Sequence, residues 1–287
     1  MKLDIKELAG CRVLYRVPNY LAEAEVRDGD KIIEMGTLST YKLFMETHRS
    51  FKDSKYTASM RNEEDEGRDG FSGAESYEAF QELLNNGDED VIKKIKIETT
   101  KQVAELSKKY EEVITDYKFD VQGQFFDVGL VLSGVPETWL EPEIKEEEKV
   151  QVEIIINGTF HAGISKNDVI KGASRILAMI KILEDHGVEV KLKIVSCIKG
   201  YENRKRNTKL FISTDVKDYD EPINYKKCSA LLSPTYLRRG MFKVMELLAK
   251  EKLSGNYGQS YLVSNFINIH QKREIDELEK KLFKKDK

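Results

Sequence analysis

The sequence predicts an α/β fold, a mostly parallel sheet flanked by helices with an N-terminal helical and mixed region, and three observations in Val150–Cys197 predict it. First, Val152, Ile154, Ile155 and Ile156 make an apolar run of strand length, broken by Asn157 and Gly158. Second, Ser165 stands three residues before Asp168, a helix start in which a hydroxyl meets an open backbone amide and a carboxylate sits in the positive first turn. From there Val169, Ile170, Ala173, Ile176, Leu177, Ile180 and Leu183 recur at helical spacing, so one face is buried. Third, Gly187 occupies the position of a left-handed cap, and Val188, Val190, Leu192, Ile194 and Val195 resume a strand. Strand, helix and strand form a crossover unit that makes the two strands parallel.

The chain of 287 residues is long enough for one large domain or two ordinary ones. Charged residues make up 34% of it, yet the formal net charge is only −3, so any attraction to nucleic acid must come from a local patch. Cys11, Cys197 and Cys228 are far apart and form no CxxC pair; they read as buried apolar residues of a reducing compartment. No apolar segment has the length of a membrane span and the N-terminus lacks a signal-peptide core, so a soluble intracellular protein with no membrane partner is expected.

Along the chain, residues 1–52 form a mixed segment, with strands expected at Arg12–Val17 and Lys31–Met35 and a helix at Thr40–His48 capped by Ser39. Residues 53–70 read as a flexible acidic linker, carrying Glu63, Glu64, Asp65 and Glu66. Residues 71–148 read as a helical hairpin followed by an aromatic and glycine-rich flap, Phe119–Trp139. In the hairpin, Ser76 precedes one helix, Gly87 ends it, and Asp88, Glu89 and Asp90 open the next. Residues 149–287 form the α/β domain. In it, Lys199–Lys209 is expected to be a loop before a short strand, Leu210–Ile212, antiparallel at the edge of the sheet. Helices follow at Tyr225–Leu232 and Tyr236–Leu248, then a strand within Tyr261–Ile269 and a polar helix at Glu274–Phe283. Lys280, Lys281, Lys284, Lys285 and Lys287 read as the solvated end of that helix.

Two passages resemble an uncharacterised family encoded by tailed bacteriophages. They are Phe71-Ser-Gly-Ala-Glu-Ser-Tyr-Glu-Ala-Phe-Gln-Glu-Leu-Leu with the later Val121–Glu137, and Tyr236-Leu-Arg-Arg-Gly-Met-Phe-Lys-Val-Met-Glu. The resemblance implies a phage origin, with the cytoplasm of an infected bacterium or the virion as its place of action, and it implies no activity. The order strand, helix, strand, antiparallel strand, helix is in turn similar to the von Willebrand factor A type domain. That domain holds a metal on an Asp-x-Ser-x-Ser run. The matching positions here are Asn157, Thr159 and His161, where an amide replaces the carboxylate and imidazole is a poor ligand for Mg²⁺, so no metal and no cofactor is expected.

Candidate sites follow from position and charge. The loop Asn157–Ser165 leaves the carboxyl end of a strand and enters a helix N-terminus, where ligands of open α/β sheets collect; Asn157, Thr159, His161 and Ser165 supply polar side chains. Every α/β unit has such a loop, so an ordinary connection is the competing reading. Asp215, with Asp218 and Asp220, follows the third strand and could reach the same edge or simply form a turn. Lys199, Arg204, Lys205, Arg206 and Lys209 face a single acid, Glu202, and with Tyr201 make the nucleic-acid candidate, against the alternative of a solvated hairpin tip. GxxxxGK[ST], GxGxxG and GxSxG are all missing, which removes the common nucleotide and hydrolase readings.

Two functions are therefore expected from the residues and the resemblances. One is a non-enzymatic phage-encoded binding protein with a degenerate von Willebrand A-like domain, its partner a phage protein or a second copy. The other is a nucleic-acid-associated protein or phosphate-handling enzyme using the basic loop.

Overall fold

The structure, a computed structural model, describes residues 11–21, 26, 29–51, 73–74, 77–110, 150–160, 163–202, 206–241 and 266–283. The linker 53–70, the Phe119–Trp139 passage and residues 242–265 lie outside these. The strands are β1 (Arg12–Leu14), β2 (Lys31–Met35), β3 (Gln151–Asn157), β4 (Glu189–Glu202), β5 (Arg206–Lys217) and β6 (Ile267–Asn268). They form one mixed sheet in the order β1-β2-β5-β4-β3-β6, so β5, expected at the edge, lies inside, because β2 pairs along its other side. The pairs β3–β4, β3–β6 and β2–β5 are parallel, whereas β1–β2 and β4–β5 are antiparallel. The α/β, mostly parallel architecture read from the sequence is thus present, and the first two strands join the same sheet as β3–β6.

The helices are α1 (Thr37–Phe51), α2 (Tyr77–Asn86), α3 (Glu89–Lys109), α4 (Lys166–Asp185), α5 (Tyr225–Leu231) and α6 (Lys272–Leu282), with a π-helical turn at Tyr236–Met241. The caps are local chemistry. Ser165 Oγ accepts from Asp168 N at 3.1 Å, and Asp88 Oδ1 from Val91 N at 3.0 Å, each satisfying an amide with no partner inside its helix. Gly87 and Gly187 end α2 and α4 at φ +77° and +81°, where a β-carbon would be strained. Two helical boundaries differ from expectation. The α1 helix starts at Thr37, not at a Ser39 cap, because the Gly36 carbonyl accepts from Thr40 N at 2.9 Å; and the segment from Tyr236 opens as a π-turn.

Alternate strand residues divide between two cores. Ile154, Ile156, Val190, Leu192, Ile194 and Ile212 face the one that holds apolar residues of all the described α-helices. Val195, Cys197, Phe211 and Ile32 face a smaller cluster closed by Leu21 and Phe266. The described helices therefore cover one face of the sheet. On that face Tyr236 is buried edge-on to Phe44, 5.9 Å away, and its hydroxyl lies 2.6 Å from Thr214 Oγ1. Gly172 lets α4 meet the turn before α6 so closely that an added β-carbon would sit 1.6 Å from the Ile269 carbonyl oxygen.

Candidate functional site

At the carboxyl end of β3 the polar side chains are spent on the fold. Asn157 Nδ2 donates to Asn268 Oδ1 at 2.8 Å, and Asn157 Oδ1 accepts from Thr159 N at 2.9 Å. Thr159 Oγ1 accepts from Cys197 N at 3.0 Å and lies 3.4 Å from the Cys197 carbonyl, taking the place of a strand backbone after β3 has ended. Both residues are buried, at 2% and 1% exposure. Ser165 is exposed but serves as the α4 cap, also lying 2.6 Å from Asp168 Oδ2. His161 lies outside the described residues.

Asp215 belongs elsewhere. It stands opposite Lys193 on β5, and because β5 runs antiparallel to β4 the chain beyond it moves away from the Asn157 end. Its carboxylate faces Lys191 Nζ at 3.7 Å, and Asp218 Oδ1 approaches the same ammonium at 3.0 Å. Burial raises the Asp215 carboxyl above its ordinary range, with Lys191 and Lys193 opposing. Nearby, Lys193 Nζ lies 3.1 Å from Glu153, 3.7 Å from Glu34 and 4.9 Å from the centre of the Tyr20 ring. Four carboxylates thus share two ammonium groups in a row across β2, β5, β4 and β3.

The basic segment is a correction to the expected loop. β4 and β5 continue through it, pairing Lys199↔Lys209, Gly200↔Thr208, Tyr201↔Asn207 and Glu202↔Arg206, so only residues 203–205 separate the strands. Lys199, Arg206 and Lys209 are strand residues, and Arg204 and Lys205 lie outside the described residues. Strand pairing wins because the ladder supplies every second backbone group with a partner, whatever the side-chain charge. Lys209 is only 4% exposed, and its amide donates to Asp30 Oδ1 at 2.7 Å, where β2 begins. Among the described residues no strand pairs with β4 or β5 beyond the Ile198↔Leu210 row.

A groove of about 620 Å³ lies between α3, α4 and α6. Glu279 is 1% exposed beside it, a placement that reading Glu274–Phe283 as a polar helix did not reveal. Lys109 Nζ approaches Glu279 Oε1 at 2.6 Å, Tyr110 donates its hydroxyl to the same oxygen at 2.9 Å, and Arg175 Nε donates to Oε2 at 3.0 Å. Arg175 also bonds Gln102. Burial alone would raise the Glu279 carboxyl, but these donors outweigh it and hold it below the ordinary glutamate range. Charges of both signs line the groove, so it favours no single ligand charge. Among the described residues no three His, Cys, Asp or Glu side chains are grouped to hold a metal, and no helix is long and apolar enough to cross a membrane.

The fold is that of an α/β protein with a mixed, mostly parallel sheet and, among the described residues, helices on one face. Residues 32–279 match the family described as a domain of unknown function, DUF7192, and the chain belongs to that family. No curated protein and no solved structure matches it.

Proposed function

We propose that this is a non-enzymatic binding protein that associates with nucleic acid through the β4–β5 pair. The observation that supports it best is the basic stretch of the β4–β5 pair: the strands run past their described neighbours, carry Lys199 and Arg206 and are joined by a connection containing Arg204 and Lys205, with Glu202 the one acid in the stretch. With a net charge of −3 the molecule as a whole does not attract phosphates, so binding depends on this local excess. Fluorescence anisotropy with labelled nucleic acid tests it. Affinity should fall steeply with salt, and Arg204→Ala/Arg206→Ala should weaken it and make the logarithmic salt slope shallower by about 2. Absence of binding to DNA and RNA alike at low salt removes the reading.

A second reading keeps the von Willebrand A-like relationship and a protein partner, phage-encoded or a second copy. The order β5-β4-β3-β6, with β4–β5 the antiparallel pair, favours it. The rim after β3, including Ser165, is then the docking edge. Size-exclusion chromatography with light scattering, and pull-down from infected cells, test that version; a monomer with no specific partner speaks against it. Action in the infected cell or in the virion rests on the phage resemblance.

A further inference from the structure

Independently of the basic stretch of β4–β5, we propose that the groove between α3, α4 and α6 binds a small zwitterion, a molecule carrying both an ammonium and a carboxylate group. At about 620 Å³ the groove has the size of a ligand site, and its floor is apolar where Gly172 packs against Ile269 and Ile275. Long polar side chains hold it open. Arg175 reaches from α4 to Gln102 of α3 and Glu279 of α6, and Lys109 joins the end of α3 to the same carboxylate. The three helices are therefore tied at one end of the groove while the rest of it stays free for a guest.

The internal partners decide which charges remain for that guest. Arg175 has five N–H groups. Three are engaged, Nε and Nη2 with Glu279 Oε2 and Nη1 with Gln102 Oε1, and Glu105, 3.8 Å from Nη1, stands beyond hydrogen-bond length. Two donors are left on a planar guanidinium, the group best shaped for a carboxylate. Lys171 lies one turn earlier on α4, and Lys272 of α6 lines the groove with it; neither ammonium has an ion pair or hydrogen bond among the described residues.

The α3 wall has the opposite sign. Glu98 and Glu105 line it two turns apart, and Gln102 between them is held by its bonds to Glu98 and Arg175. Carboxylates of α3 thus oppose cations of α4 and α6, with Glu105 and Arg175 near enough for one small molecule to meet both. A lone anion suits one wall and is repelled by the other, and Asp276, between Lys272 and Lys280 on α6, weakens its attraction further.

Isothermal titration calorimetry with the full chain tests this, using trialanine, its N-acetylated form, its C-amidated form and free leucine. Trialanine or leucine should bind at millimolar concentration or below. Blocking either terminus of trialanine should weaken its binding about tenfold, the scale of one hydrogen bond to a charged group. Lys171→Ala should remove most of the difference between trialanine and its amide, and Glu98→Gln most of the difference between trialanine and its acetylated form, both variants keeping the parent circular-dichroism spectrum. Tighter binding of leucine assigns the groove to free amino acids and tighter binding of trialanine to peptides, and either supports the inference. Acetylated peptide binding as well as trialanine shows a plain anion site, amidated peptide binding as well shows a plain cation site, and each overturns it. Absence of heat with all four probes overturns it too, and leaves the nucleic-acid reading untouched.

Discussion

Asn157 and Asn268 join β3 to β6 through a buried amide–amide hydrogen bond of 2.8 Å, and Glu274 fixes its direction. Both oxygens of Glu274 accept from Asn268 Nδ2, at 2.8 and 3.0 Å, so the Asn268 oxygen must face Asn157. The Asn157 side chain is thus matched to an acceptor, and only a donor fits.

Replacing Asn157 tests that match. Asn157→Ala should lower unfolding free energy by about 1–3 kcal/mol, since Thr159 N and Asn268 Oδ1 lose their partner. Asn157→Asp should cost more at pH 7, about 3 kcal/mol or above, because a buried carboxylate faces an oxygen. Urea unfolding measures both, and added Mg²⁺ should leave the Asp variant's loss unchanged.

Glu279 makes stability depend on acid. Its carboxyl is held below the ordinary glutamate value of about 4.3, so the folded state keeps it charged where the unfolded chain already takes a proton. The contribution is complete above that ordinary value and disappears as pH falls through the lower folded one. Denaturant midpoints between pH 6 and 3 should decline more steeply for the parent than for Glu279→Gln. At pH 7 that variant should be less stable by about 3 kcal/mol, the scale of a broken buried pair.

Gly172→Ala probes the approach of α4 to α6. With the new methyl 1.6 Å from the Ile269 carbonyl oxygen, backbone must move, at an expected cost of about 1–3 kcal/mol. Hydrogen exchange should report the loss in α6 before the β3–β4 ladder; uniform loss would show that α6 is not separately held.

Thiol chemistry should be slow. Cys11, Cys197 and Cys228 are all buried, and burial pushes the Cys228 thiol up to about 12, leaving almost no thiolate at neutral pH. A colorimetric thiol reagent should find little reactivity in native protein and three thiols after denaturation. Rapid labelling of Cys228 in native protein would contradict its placement.

The β3–α4–β4 unit was legible because each of its signals is local: an isoleucine run, a Ser165–Asp168 start, a seven-residue apolar stripe and a glycine stop. The pairing of β2 with β5 was not, since Ile33 meets Ile212 through contacts that no local pattern encodes. Polar composition likewise hid the far end of the β4–β5 pair, whose ladder of Lys199, Tyr201, Asn207 and Lys209 lacks the apolar alternation of a half-buried strand. The buried role of Glu279 depends on Lys109 at the end of α3, Tyr110 just after it and Arg175 of α4. As for the candidate rim, sequence order placed Asn157 and Thr159 at a strand end and could not say that each was already bonded inward.

The β2–β5 pairing also has a bearing on synthesis. Asp30 and Lys209, which meet at its start, are 179 positions apart. At about 5–20 residues per second on the ribosome, the early strand waits on the order of 10–35 s for its neighbour to emerge. During that interval Ile32, Ile33 and Met35 have only β1 to pair with, so their apolar side chains stay open to water until the second half of the sheet is made.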